Sequence, residues 1–286
     1  MTTIAQIRPL APGLHFVATP IGTARDITLR ALDVLASADV IACEDTRNTR
    51  HLMELHGVKM GARRLLPYHD HNGAAMRPKL LALIADGKSV AYASDAGTPL
   101  VADPGFALAR DVLAGGFLVT GAPGPSAVTA ALMIAGLPTD RFMFAGFLPS
   151  TKGARQKTLA ELGSIPATLV FFESAKRLLP TLREICATLG EDREIAVCRE
   201  LTKKFEEVRR GPAADVLEHY IAVPPKGEVV LLIDRNRSEP TAEDMNAALS
   251  TALADMSVKD AAKRVADDLG LARRDVYQAA LAMAKK

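Results

Sequence analysis

The chain has no tryptophan, and its three cysteines, Cys43, Cys186 and Cys198, are scattered without a C-x-x-C pair. That spacing argues against a disulfide framework and against a thiolate zinc site. Charge of one sign is missing too: 35 Lys and Arg face 33 Asp and Glu, a formal net charge of +2. So even a balance announces no nucleic-acid binder, although local patches decide that question more than totals do. No apolar run approaches the ~18 residues of a membrane span, and MTTIAQIRPLAPG has no hydrophobic stretch of a secretory signal. A cytoplasmic protein without a membrane partner is therefore expected. Two nucleotide signatures also fail. The first loop, TPIGTARD, holds one glycine where a dinucleotide fold wants G-x-G-x-x-G, although Glu44 and Asp45 stand near the expected acidic position. No G-K-[ST] follows a glycine-rich turn. Neither NAD nor ATP is indicated.

What the chain does have is length for more than one compact unit and 49% apolar residues to fill them. From Leu14, short β-rich runs alternate with helical periodicity: LHFVAT, DVIACED, RLLPYHD, SVAYAS and FLVTGAP each precede an amphipathic stretch. Such alternation predicts an α/β fold with a largely parallel sheet covered by helices. The pattern turns less regular after Pro123, where RFMFAGFLP, ATLVFFES, EIAVCREL, KFEEVRRG and GEVVLLID suggest a mixed sheet. RNRSEPTAED reads as a polar linker, and the remainder as helices, with Ser257 capping one and Gly270 ending it. We expect α/β domains at 1–123 and 124–237 and a small helical, helix-turn-helix-like domain at 238–286. Residues 241–286 carry seven acidic and seven basic side chains, so this tail is not a basic arm.

Two loops stand out. SDAGTPLVADPG, residues 94–105, follows a strand at the place where parallel sheets bind ligands, beyond the carboxyl ends of their strands. Gly97 permits a positive φ and close backbone approach. Asp103 and Pro104 read as the N-cap and first position of the following helix. The second loop, GAPGPSAVTAALMIAG, opens a helix with Ser126 and small residues, leaving N–H groups that suit a carboxylate or phosphate. A plain turn and a tight helix–sheet contact are the bland alternatives.

VATPIGTARDITLRAL, ACEDTR, HDHN, SDAGTPLVADPG, PGPSAVTAALMIAGLPTDRF, GFLP, FFES and RELTK, in this order, resemble the RsmI family over about residues 14–234. The helical tail is similar to that family's C-terminal domain. The resemblance implies a fold of the tetrapyrrole methylase type, with S-adenosyl-L-methionine (S-adenosylmethionine) in a cleft between two α/β domains. It implies an enzyme placing a methyl group on the ribose 2′-hydroxyl of a cytidine in 16S ribosomal RNA, within the small ribosomal subunit, and a homodimer. Carried over residue by residue, it implies that Pro20, Gly22, Asp95, Gly97, Thr98, Leu100, Val101, Ala102, Ser126, Ala127 and Phe172 lie at the cofactor. A methyltransferase for a corrin or porphyrin precursor and a non-catalytic RNA-binding module are the competing readings.

Methyl transfer from a sulfonium is an in-line displacement, so placing the acceptor oxygen is the main task. A ribose hydroxyl also needs a base. Asp45, His69 and Glu173 are the candidates. Asp45 could instead cap a helix, and Glu173 could form an exposed pair with Lys176 or Arg177. His69 and His71 share one side of a strand in this reading, but obvious third and fourth metal ligands are missing, so no metal is expected. For RNA, TKGARQK reads as a flexible basic loop carrying Lys152, Arg155 and Lys157, joined by Arg47 and Lys203.

Overall fold

Five strands, β1 (Gly13–Val17), β2 (Val40–Cys43), β3 (Arg64–Pro67), β4 (Ser89–Ala93) and β5 (Leu118–Ala122), form an all-parallel sheet in the order β3-β2-β4-β1-β5. They belong to a computed structural model that describes residues 5–69, 71–236 and 242–284. β2 and β4 are buried at every position, which is why VIAC and SVAYA show no polar alternation. Helices α1 (Leu29–Ser37), α2 (Thr46–Leu55), α3 (Gly73–Ala85) and α4 (Phe106–Ala114) cover the sheet. Thr28 starts α1 by accepting the Ala31 N–H, and Ala31, Leu32 and Leu35 pack among Val17, Ile41 and Ala91. On the opposite face Tyr92 sits between Phe16 and Tyr68, edge to face, with ring centroids 5.6 Å apart in both pairs.

Helix α5 (Ala127–Ala135) packs Val128, Ala131, Leu132 and Ala135 against Val170, Ala196 and Leu232 of the second sheet. That sheet holds β6 (Phe142–Phe147), β7 (Thr168–Ser174), β8 (Glu194–Arg199), β9 (Glu207–Pro212) and β10 (Glu228–Ile233), in the order β6-β7-β10-β8-β9. Only β6 and β7 run parallel; β10 lies antiparallel between β7 and β8, and β9 closes the edge antiparallel to β8. Helices α6 (Lys152–Gly163), α7 (Ala175–Leu189) and α8 (Ala213–Ala222) complete this part. The mixed sheet is thus present, but TKGARQK is not a flexible loop. It opens α6, whose Arg155 and Leu159 turn inward one helical turn apart.

By contacts the chain divides into two units. Residues 1–162 and 168–234 hold both sheets; residues 163–167 and 235–286 form the other. In the latter, α9 (Ala242–Leu253), α10 (Val258–Leu269) and α11 (Arg273–Ala284) bury Leu249, Ala261, Val265, Val276 and Ala280 together. Ser257 accepts the Asp260 N–H at the start of α10, and Gly270 ends it in the left-handed conformation. Residues 237–241 of the expected linker, and Asp70 of HDHN, lie outside the described residues. No helix among the described residues is long and apolar enough to cross a membrane.

Candidate active site

In the first sheet the neighbours β4, β1 and β5 deliver three successive loops to one edge. Polar contacts tie these loops together. Thr19 and Gly97 exchange backbone hydrogen bonds of 2.9 and 3.0 Å. The Thr19 hydroxyl donates to the Ser94 carbonyl, and the Ser94 hydroxyl to the Gly97 carbonyl. The Thr98 hydroxyl reaches the Pro125 carbonyl at 2.9 Å. Gly97 adopts φ +83°, and a Cβ there would stand 3.3 Å from Ile21, so this crossing requires glycine.

A cavity of about 350 Å³ opens between this edge and the second sheet. Gly97, Thr98, Val101, Ser126 and Ala127 form one wall; Phe172, Glu173, Cys198 and Val230 belong to the other. Among the cofactor residues expected from the resemblance, Gly97, Thr98, Val101, Ser126, Ala127 and Phe172 come together here, whereas Pro20, Gly22, Asp95, Leu100 and Ala102 are not in the wall. Gly22 adjoins it from behind, against Leu201, Thr202 and Lys203. The Asp95 carboxylate accepts the Asp45 N–H at 3.0 Å and so ties the ends of β2 and β4 together. Leu100 and Ala102 adopt positive φ, 71° and 61°.

Sequence reasoning passed over Ile21, Phe147, Ser174, Leu201 and Glu228, all in the wall. The sequence also suggests Asp103 as a helix cap. The helix begins later, at Phe106 after Gly105 with φ +121°, and Asp103 lines the cavity.

The three candidate bases stand differently. Asp45 caps α2 by accepting the Arg47 N–H at 2.8 Å and pairs with the Arg47 guanidinium at 2.6 Å. These hydrogen bonds, side chain first and then backbone, hold its pKa down at about 2. His69 lies beyond the end of β3, since the strand stops at Pro67, so His69 and His71 do not share a strand face. Their rings are 5.9 Å apart, and no group of three or more His, Cys, Asp or Glu among the described residues could hold a metal ion. Glu173 is in the wall but is heavily engaged. It accepts the Thr181 hydroxyl at 2.7 Å and the Ser174 N–H at 2.9 Å, and its carboxylate lies 3.2 Å from the Arg177 guanidinium as an ion pair. The Arg177 pair is therefore buried on the Glu173 side, not exposed, and Arg177 also donates to the carbonyls of Leu148 and Pro149. Burial pushes the Cys198 thiol up to about 12, so it is a neutral part of the floor.

Of the cationic candidates, Arg155 is only 4% exposed and donates to the Pro149 and Ser150 carbonyls. Arg47, Lys152 and Lys157 have largely exposed side chains. Lys203 pairs with Glu200 at 3.0 Å and Glu228 at 2.8 Å. Burial opposes its charge, but those two carboxylates hold its pKa above the usual lysine value.

Residues 13–217 match the family of Tetrapyrrole (Corrin/Porphyrin) Methylases, and residues 239–284 match the RsmI C-terminal HTH domain. Among solved structures, the cobalamin biosynthetic enzyme cobalt precorrin-4 methyltransferase, CbiF, is 20% identical with a TM-score of 0.59, covering 78% of this chain and 94% of that one. Uroporphyrin-III-C-methyltransferase from Thermus thermophilus is 22% identical with a TM-score of 0.56 and the same coverage. These likenesses establish the fold. Curated relatives are nearer. Ribosomal RNA small subunit methyltransferase I of Mesorhizobium japonicum is 46% identical, covering 95% of this chain and 92% of that protein. Its namesake in Escherichia coli O157:H7 is 40% identical, with 94% of each covered. With both parts of the chain matched and near full-length identity of this order, the protein belongs to the RsmI family of tetrapyrrole methylases.

Proposed function

We propose that the protein transfers the methyl group of S-adenosylmethionine to the ribose 2′-hydroxyl of a cytidine in 16S ribosomal RNA. The observation that carries this reading is 46% identity, over nearly the full length, to a ribosomal RNA small subunit methyltransferase I. In the same reading it works in the cytoplasm, as a homodimer, on RNA held in the small ribosomal subunit.

The cavity fits the donor by chemistry and by size. Its volume lies at the lower end of the ~300–1,000 Å³ of small-molecule sites. Phe172 and the apolar Ile21, Val101 and Val230 suit an adenosine, while Gly97 and Ala127 let it lie against the main chain. Ser126 makes no side-chain bond to the start of α5, so the helix N-terminus is open to a carboxylate. When bound, S-adenosylmethionine supplies an activated methyl group. The chain's own work is to hold the acceptor oxygen in line, ~3–3.5 Å from that carbon, and to exclude water. Of the three bases considered, Glu173 alone is in the wall, and its wholly buried side chain, held by Thr181, Ser174 and Arg177, makes it a positioning residue. The side chain of Glu228, by contrast, stays largely exposed although Lys203 pairs with it. Asp103 and Glu228 are the wall's other carboxylates and are the acceptors we assign for the hydroxyl proton. Exposed Arg47, Lys152 and Lys157 supply contacts to phosphates.

Labelled donor incubated with small subunits from a strain lacking this gene tests the proposal. Label on one cytidine ribose is the expected result. No transfer to RNA, with transfer to a corrin or porphyrin precursor, overturns it.

A further inference from the structure

Phe147 is 56% exposed, yet it forms part of the cavity wall. The backbone has been bent to put it there. On edge strand β6 the pairing runs regularly from Phe142 opposite Thr168 to Phe144 opposite Val170. It then slips by one residue, so that Phe147 rather than Gly146 faces Phe172. Gly146 takes up the extra residue at φ +66°, in the left-handed region. Bulges of this kind re-aim a side chain, and here they bring a phenyl ring to the rim of the cleft. Its centroid lies 5.7 Å from that of Phe172 at 68°, and Phe172 in turn rests 4.8 Å from Phe144. The ring is thereby steadied on one side and left open on the other. Lys152 opens α6 five residues later with its ammonium 3.6 Å from the Glu184 carboxylate, and Lys157, 3.8 Å from Glu161, follows on the same helix.

An aromatic face open at the mouth of a pocket suits a nucleobase. Sequence-specific RNA recognition targets unpaired bases that leave their own stack and settle on an aromatic side chain. We propose that Phe147 is the platform on which the base of the target nucleotide stacks while its ribose is presented to the cavity. The inference rests on the ribose-methylation reading above. It assigns Phe172, deeper and half-buried, to the donor side, and Phe147, at the rim, to the RNA side.

The test uses the full-length enzyme, small subunits lacking the methyl group, and the variants Phe147→Leu and Phe147→Tyr. Phe147→Leu raises KM for the subunits about tenfold, the order expected for one lost base–aromatic stack. Its calorimetric affinity for S-adenosylmethionine and its melting temperature stay at the wild-type values, and Phe147→Tyr restores KM. Weaker donor binding with KM unchanged overturns the proposal by giving the ring to the donor. An unchanged KM in Phe147→Leu, or a tyrosine variant that fails to restore it, overturns stacking. A wild-type enzyme that leaves small subunits unlabelled refutes the ribose-methylation reading itself, and this inference falls with it.

Discussion

Replacing Gly22 by alanine should loosen the whole protein and impair the reaction together. A Cβ on Gly22 would lie 2.6 Å from both Lys203 Cγ and Thr202 Oγ1, and 2.9 Å from the Leu201 carbonyl oxygen. Ordinary contact begins at 3.4 Å, so the loops after β1 and β8 must part by about 0.8 Å. They cannot slide freely. The Thr23 N–H and hydroxyl both bond Thr202, and Lys203 is anchored at its far end by Glu200 and Glu228. Overpacking of this kind costs about 1–3 kcal/mol. In a chain of this size each kcal/mol lowers the melting temperature by roughly 2–4 °C, so a fall of about 5 °C is expected. Leu201, one of the clashing residues, and Ile21, next to Gly22, both line the cavity. Misplacement of reacting groups by about 1 Å can cost ~100-fold in rate, so kcat/KM should drop by about one to two orders of magnitude. Scanning calorimetry and a methyl-transfer assay read the two effects. Gly153→Ala is the control, because nothing lies within 4 Å of its added methyl. A Gly22→Ala enzyme with wild-type melting and kcat/KM would show that the junction yields without cost and that the reasoning is wrong.

Three other perturbations separate structural from chemical roles. Glu173→Ala deprives Arg177 of its counter-charge and Thr181 of its acceptor, at about 2–4 kcal/mol measured by denaturant titration. Glu173→Gln should keep most of kcat and the wild-type pH profile; loss of an acid limb together with a ~100-fold fall in kcat would make Glu173 the base instead. Asp45 titrates at about 2, so Asp45→Asn should leave the pH–rate profile unchanged in the neutral range, and a displaced limb there would refute its purely structural role. Acid stability is the third. The Ser89 backbone N–H and hydroxyl hold Asp39 below the usual carboxylate range, the Glu228 N–H and then Lys203 do so for Glu200, and Arg199 does so for Glu207. Folded pKa values below the unfolded ones mean that stability is complete above about pH 4.5 and is lost as pH falls through the folded values. Melting temperature should therefore decline on acidification, and Glu207→Gln should make that decline shallower. An equally steep decline in the variant would contradict the assignment.

The first sheet was legible because burial on both faces leaves a mark on sequence. VIAC and SVAYA are apolar without alternation, and each is followed by a helical period. The order of the second sheet left no such mark. β10 enters between β7 and β8, a pairing of residues about 30 to 60 positions apart, and nothing local announces it. Lysines and a glycine made the start of α6 read as a loop. Arg155 and Leu159 are buried one turn apart there, and an arginine on the inward face hides the helical period from an apolar pattern. That arginine also shows why charge alone misleads: it is buried, and its guanidinium donates to the carbonyls of Pro149 and Ser150 just ahead of α6.

The cavity itself depends on a device that residue types conceal. Leu100 and Ala102 have φ of 71° and 61°, and between them Val101 enters the wall. On the other side Glu200 and Thr202 have φ of 51° and 61°, and between them Leu201 enters the wall. Each loop thus reverses the backbone twice around one apolar residue and aims it at the same space. Left-handed non-glycine residues cost of order 1–3 kcal/mol apiece and persist only when their surroundings over-determine them. The surroundings here do so: the Glu200 carboxylate accepts the Glu228 N–H and the Lys203 ammonium, Glu206 accepts the Thr202 N–H, and Thr98 and Ser94 brace the other loop. Glycine would supply the same φ more cheaply, but it would leave the bends free to relax in the open chain. Non-glycine residues at these four positions instead narrow the conformations open to each bend, and both bends turn an apolar residue, Val101 and Leu201, into the cavity wall.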